Sequence, residues 1–217
     1  NRVIEELKKA AKRKPSKLII TGCLPFINSE RLKSEVKFDA VLGAAAGSKI
    51  VEAVHSVLNG QTIQWIDRHA QAKPCLDLPK QALNPLISVV PVAYGCLGAC
   101  SYCCVVLARG QLRSCRIEEV VQRILIDLEG GAKEVWLTGQ DMGCYGRDIG
   151  FNLVELLRAI CDIKGDFLVR VGMMTPNMAK NIVKDLIQAF KNGKIFNFIN
   201  LPVQSGDDEV LQKMRRF

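Results

Sequence analysis

The sequence predicts an α/β protein in two parts: a parallel α/β segment over residues 1–66, then the first half of a parallel (β/α) barrel over residues 86–217. Three observations carry this. Short β-branched runs alternate with amphipathic stretches of helical period in both parts, the pattern of parallel strands covered by helices. Each polar motif of the second part falls just after a strand, where parallel barrels carry their chemistry. Between the parts, residues 67–85 mix Pro, Lys, Gln and Ala without a period and read as a linker.

In the first part, Val3, Ile4, Leu7, Ala10 and Ala11 recur at helical spacing among Lys and Glu, so residues 3–13 form a helix. Residues 17–21 form a short buried strand ending in Gly22-Cys23-Leu24-Pro25, a turn that puts Cys23 at the strand's C-terminal end. Residues 29–37 are helical and residues 40–43 a strand. Ser48 suits the N-cap of a helix over 49–58, and Asn59-Gly60 turns the chain into a strand over 62–66.

The second part opens with a strand over residues 86–93 and a cysteine-rich loop. A helix over 117–128 starts with Glu118 and Glu119, where the dipole favours acids. A strand over 134–138 ends in Gly139-Gln140-Asp141. Then come a helix over 153–160, a strand over 167–171, a helix over 178–190, a strand or two short pieces over 196–203, and a helix over 207–214. Four strands alternate with four helices, and eight such units close a barrel. The chain is therefore expected to be a piece of a longer protein, as is also suggested by its lack of an initiator Met.

The 217 residues are 48% apolar and 24% charged, ordinary for a globular protein, and the low Gly and Pro counts, 17 and 8, with periodic apolar segments exclude collagen-like and disordered classes. No apolar run approaches the roughly 20 residues of a membrane span. The charged residues 1–14 do not form a signal peptide, so a cytoplasmic protein with no membrane contact is expected. Lys and Arg number 30 against 22 Asp and Glu, a formal net charge of +8. Residues 1–90 hold 14 basic and 8 acidic groups, and residues 91–217 hold 16 and 14. That balance suits a polyanionic partner such as nucleic acid, or a solvated surface that favours Lys. The nine cysteines are odd in number and there is no sign of secretion, so metal or redox chemistry is expected rather than a disulfide framework.

Cys96-Leu97-Gly98-Ala99-Cys100-Ser101-Tyr102-Cys103 places three thiols within eight residues. Such a loop wraps one compact metal centre. Zinc would want a fourth ligand, which Cys104 or Cys115 could supply. A three-thiolate [4Fe–4S] cluster would leave one iron open for a substrate-like ligand. Inert core cysteines fit poorly with Gly98 and Ser101 among them.

This CxxxCx(aromatic)C loop resembles that of the radical S-adenosylmethionine superfamily. Ala108-Arg109-Gly110-Gln111-Leu112-Arg113-Ser114, Leu137-Thr138-Gly139-Gln140-Asp141 and Leu201-Pro202-Val203-Gln204-Ser205-Gly206 resemble its methylthiotransferases. Tyr145-Gly146-Arg147-Asp148-Ile149-Gly150 is similar to the archaeal and eukaryotic branch, which modifies N6-threonylcarbamoyladenosine at position 37 of tRNA. The resemblance implies that residues 1–66 are the C-terminal part of the N-terminal methylthiotransferase domain and residues 86–217 the N-terminal half of the radical barrel.

It further implies that Cys96, Cys100 and Cys103 hold a [4Fe–4S] cluster that cleaves S-adenosylmethionine, and that Cys23 is one ligand of a second cluster in the full-length protein. A methylthio group is then delivered to C2 of the adenine. The substrate base leaves its stack, an electron donor such as ferredoxin or flavodoxin is needed, and the fragment alone is expected to be inactive. No catalytic residue beyond the cluster ligands is implied.

Other residues keep two readings. Tyr102 lines the cofactor's adenine or packs behind the cluster. Gly139 and Gln140 are placed to hold the cofactor's methionine end. Arg170 pairs with the cofactor carboxylate or bridges layers of the barrel. Gln204 and Ser205 line the same layer or are a polar strand end. Arg109, Arg113 and Arg116 contact tRNA phosphates or sit in a solvated loop. Cys115 stands where the family commonly has Arg, which leaves that position without a role. Two rival functions stay open: a zinc-binding RNA module without catalysis, and a radical methylthiotransferase with another substrate, such as a ribosomal protein.

Overall fold

The structure, a computed structural model, describes residues 2–13, 16–44, 46–67, 73 and 75–216. It divides into two compact units, Asn1–Ala72 with Cys104–Gly110, and Lys73–Cys103 with Gln111–Phe217.

The first unit runs α1 (Arg2–Ala11), β1 (Ile19–Ile20), α2 (Leu24–Ile27), α3 (Ser29–Glu35), β2 (Ala40–Leu42), α4 (Lys49–Leu58) and β3 (Ile63–Trp65), and it takes in α5 (Val105–Arg109). The strands form a parallel sheet in the order β1-β2-β3, with Ile19 opposite Ala40 and Ala40 opposite Ile63. Successive β2 side chains enter different clusters. Val41 joins Ile4, Ile20, Leu32 and Val36, while Ala40 and Leu42 join Ala53 and Val57. A strand covered on both faces has to be apolar throughout. Ser48 makes no side-chain cap bond; its backbone is already helical. The turn after Cys23 winds into α2 because Pro25 fits a helix's first turn.

The second unit runs β4 (Ile87–Pro91), β5 (Ala93–Tyr94), β6 (Arg113–Ser114), α6 (Ile117–Glu129), β7 (Glu134–Thr138), a 3₁₀ turn (Met142–Cys144), α7 (Leu153–Cys161), β8 (Leu168–Val171), α8 (Pro176–Ala179), α9 (Val183–Phe190) and α10 (Asp208–Lys213). β4, β7 and β8 form a parallel sheet in that order, and β5 and β6 form a small antiparallel ribbon. Val90, Val135, Leu137, Val169 and Val171 point to one face and pack with Val120, Ile124, Leu153, Leu156, Leu157 and Ile160 into the main core. Val89, Trp136 and Arg170 lie side by side on the opposite face. Asn152 and Glu155 close a capping box at the start of α7, Asn152 Oδ1 accepting from the N–H of Val154 at 2.9 Å and Glu155 Oε2 from that of Asn152 at 2.8 Å.

Two expectations are corrected here. The strand expected over 196–203 is reduced to one parallel bridge, Val169 to Ile195, flanked by Val169 N–H to Lys194 O at 2.7 Å and Phe196 N–H to Val169 O at 2.9 Å. Its partner β8 stops at Val171, the chain turns at Phe198, whose N–H donates to Phe196 O at 2.7 Å, and Pro202 has no N–H for a ladder. The helix expected over 178–190 starts earlier, at Pro176, and is broken by a 3₁₀ turn over Lys180–Ile182.

Of the expected linker, residues 68–72 and 74 lie outside the described residues. Residues 76–80 are fastened to the second unit. The Arg123 guanidinium donates to Leu76 O and Leu78 O, and Asp127 accepts from Arg123, Lys80 and Ser88. Among the described residues, no helix is long and apolar enough to cross a membrane.

Candidate metal centre

The three-cysteine loop follows β5, the short ribbon strand that continues from β4. Its entrance is fixed by the neighbouring strand end: Gly95 N–H donates to Gln140 Oε1 at 2.7 Å. Cys96 is half-buried, and its sulfur accepts from Gly98 N–H at 3.1 Å. A Cβ built on Gly98 would lie 3.2 Å from Cys96 Sγ and 3.8 Å from Cys100 Sγ. Both sulfurs therefore converge on a hollow that only glycine leaves open, and any larger residue would fill it. Cys103 N–H donates to Cys100 O at 3.1 Å, a turn that carries an exposed Cys103 thiol just past the exposed Ser101 and Tyr102. An open hollow beside soft thiolate donors fits an iron–sulfur cluster.

A second cysteine stands behind the first. The sulfurs of Cys96 and Cys144 and a carboxylate oxygen of Asp141 lie within 4.8 Å of one another. The carboxylate of this trio already serves the backbone and Thr175. Asp141 Oδ1 accepts from the N–H of Gly143 at 2.9 Å and of Thr175 at 3.1 Å, and Oδ2 accepts from Thr175 Oγ1 at 2.6 Å. The Cys144 thiol donates to Asp141 O at 3.0 Å, with its sulfur beside that of Cys96. The neighbouring thiol, helped by Gly98 N–H, outweighs burial and brings the Cys96 thiol down to about 7. The Cys96 sulfur and burial push Cys144 up, so it stays a thiol. Cys96 is thus poised as the thiolate that metals require.

The other expected residues fall in different settings. Tyr102 is 51% exposed, with its hydroxyl accepting from Arg216 at 2.6 Å. Gly139 is packed tightly, a Cβ there lying 3.3 Å from Met142 Sδ. Gln140 spends its amide oxygen on Gly95. Arg170 lies between two rings, 5.0 Å from the Trp136 centroid and 5.1 Å from that of Phe198. Gln204 is exposed at a φ of 70°, and Ser205 lines a cavity of about 380 Å³ with Pro176, Asn177, Lys180 and Arg216.

The three arginines sit on different elements. Arg109 lies on α5 in the first unit, Arg113 stacks 5.3 Å from the Tyr94 centroid, and Arg116 is an exposed N-cap of α6. Cys23 is half-buried at the N-terminus of α2. Cys115 is buried in the main core, and burial pushes its thiol up to about 11.

Sequence reasoning missed Asp141, Cys144 and Arg216 as parts of the site. Asp141 carried a signal, an acid at a barrel strand's end. Tyr145 to Gly150 prove to be a brace. The Tyr145 hydroxyl donates to Cys115 O at 2.8 Å, Gly146 N–H to Ser114 Oγ at 2.9 Å, and Asp148 accepts from Ser114 N–H at 2.8 Å.

A parallel sheet with a three-cysteine loop beyond its first strand is the arrangement expected at the start of a cluster-binding β/α barrel. The sequence pattern of the Radical SAM superfamily matches residues 90–217, and the chain belongs to that superfamily. Over 204 residues it is 41% identical to a protein of Pyrococcus horikoshii named probable threonylcarbamoyladenosine tRNA methylthiotransferase, covering 92% of this chain and 47% of the relative. It is 32% identical over 214 residues to the human threonylcarbamoyladenosine tRNA methylthiotransferase, covering 96% of this chain and 37% of the relative. The chain thus spans about half the length of the archaeal relative and less of the human one. In fold it is similar to the radical S-adenosylmethionine methyltransferase TsrM of Kitasatospora setae, solved with tryptophan and a cofactor analogue, at a TM-score of 0.68 and 11% identity. That likeness covers 99% of this chain and 46% of the other.

Proposed function

We propose that the protein containing this chain is a tRNA-modifying methylthiotransferase that adds a methylthio group to C2 of N6-threonylcarbamoyladenosine at position 37. The observation that carries this is the likeness to proteins so named, from archaeon to human, across more than nine-tenths of the chain. The site chemistry agrees with it: Cys96, Cys100 and Cys103 are the proposed ligands of a [4Fe–4S] cluster with one iron left for S-adenosylmethionine. Such a cluster, when bound, supplies the electron for reductive cleavage of that cofactor.

The protein's own part is to hold, orient and exclude water. Gly98 keeps the hollow open and Gln140 fixes the loop entrance. Tyr102, Gly139, Arg170, Gln204 and Ser205 are the proposed cofactor-side residues, with Arg170 held ready between its two rings. Arg109, Arg113 and Arg116 are proposed to meet tRNA phosphates. Cys23 is the proposed ligand of a second [4Fe–4S] cluster in the full-length protein. Residues 1–66 would close an N-terminal domain, 67–85 link it, and 86–217 open the barrel. The reaction needs an electron donor such as ferredoxin or flavodoxin, and a cytoplasmic setting suits its substrate. Activity is proposed for the full-length protein and not for this chain alone.

The test is the full-length protein, reconstituted anaerobically and given a reductant, S-adenosylmethionine and tRNA carrying the threonylcarbamoyl base. Nucleoside mass spectrometry should find the methylthio group on that base. A radical enzyme of another substrate would cleave the cofactor and leave the tRNA unchanged. A zinc module would be colourless and cleave nothing.

A further inference from the structure

The cysteine loop is also fastened from the far end of the chain. Ser101 N–H donates to Met214 O at 3.1 Å and Ser101 Oγ to Lys213 O at 2.8 Å. Arg216 donates through one Nη to the Tyr102 hydroxyl at 2.6 Å and through the other to Pro202 O at 2.8 Å. These partners stand 112 and 114 positions apart in the cases of Ser101 and Tyr102, so the contacts are purely tertiary.

Arg216 reaches the loop because α10 ends in a left-handed turn. Arg215 adopts a φ of 53°, with its N–H donating to Gln212 O at 2.9 Å and Arg216 N–H donating to Leu211 O at 2.8 Å. Helices usually end in this way with glycine at the left-handed position, since a Cβ there is crowded. Strained positions of this kind persist where surrounding contacts over-determine them. The turn leaves Arg216 only 6% exposed, with a hydroxyl and a carbonyl as its partners. A guanidinium taken out of water for a hydroxyl and a carbonyl is a costly device, and here it holds the segment that separates two proposed cluster ligands.

We infer that Arg216 is a positioning residue: with the last turn of α10 it clamps Ser101 and Tyr102, and thereby sets how Cys100 and Cys103, on either side of them, present their thiols. This rests on the reading of the loop as a cluster site, but the clamp itself is a property of the chain without iron.

The test uses the full-length protein with Tyr102→Phe, which removes one hydroxyl and leaves the core untouched, beside Arg216→Met, Arg216→Lys and the exposed-helix control Gln212→Ala. In iron-free protein, iodoacetamide should modify Cys100 and Cys103 about three- to tenfold faster in Tyr102→Phe and Arg216→Met, the effect of one lost hydrogen bond. Cys75 should be unchanged, and Arg216→Lys should fall between. In reconstituted protein the same two variants should keep wild-type iron content, yet change the line shape of the reduced-cluster resonance on adding S-adenosylmethionine. Their KM for the cofactor should rise about three- to tenfold at unchanged kcat. Wild-type alkylation rates in Tyr102→Phe and Arg216→Met would overturn the clamp whatever the iron content. Absence of iron from the wild type would overturn the cluster reading while the alkylation rates still decide the clamp.

Discussion

The loops that follow β5 and β7 are neighbours built in opposite ways. Residues 141–146 are buried, with Met142, Cys144 and Tyr145 fully so, and their polar atoms are paired within the loop or with Ser114, Cys115 and Thr175. The cysteine loop carries half-buried or exposed thiols and few internal bonds; its rigidity is lent by Gln140, Cys144 and the end of α10. A site that must admit a large cofactor cannot bury its own ligands, so the support is moved into a neighbour that can be buried.

That contrast can be broken most directly at Asp141. Asp141→Ala leaves three buried donors unpaired and should lower the stability of this chain by about 3 kcal/mol, read from urea denaturation. A loss under about 0.5 kcal/mol, the range of surface changes, would mean that the β7 loop is no support.

The two loops' glycines sharpen the point. Gly146 has a φ of 81°, and a Cβ there would sit 2.6 Å from the backbone carbon of Phe151. Gly146→Ala should therefore cost about 2 kcal/mol or more in the same experiment. Gly98→Ala meets only two sulfurs and should change stability by less than about 0.5 kcal/mol. It should nonetheless lower the iron retained after reconstitution, because the new methyl fills the hollow. Equal behaviour of the two variants would erase the distinction between a supporting loop and a holding one.

The smallest effect is chemical. Cys96 is held below the ordinary thiol value chiefly by Cys144, so in iron-free protein its alkylation should reach half its maximal rate near pH 7. A depressed thiol contributes stability above its unfolded value, near 9, and loses it as pH falls through about 7. Cys144→Ala should move the midpoint of Cys96 alkylation up, toward the ordinary thiol range. An unmoved midpoint would show that Cys144 is only core packing.

Much of this was legible in the residue pattern. The cysteine spacing marked the loop, and α4, α6 and α7 declared themselves through helical period, because each turns one apolar face to the sheet of its own unit. The strand expected over 196–203 was not legible as a loop, since its β-branched and aromatic residues suit a strand whose ladder partner the structure ends at Val171. Arg216 looked like one more basic helix residue; only the left-handed turn at Arg215 turns it inward. The Tyr145 to Gly150 motif was legible as a mark of the branch, but not as a brace on β6, a role that depends on the distant Ser114 and Cys115.

The central claim, that the loop after the first barrel strand holds one iron–sulfur cluster, is tested most directly by iron and acid-labile sulfide in this chain after anaerobic reconstitution. The wild type should hold about four irons and four sulfides per chain, the content of one such cluster. With Cys96, Cys100 and Cys103 all replaced by Ala, it should hold almost none. Zinc in place of iron in the wild type, or the same iron in the triple variant, would contradict the account.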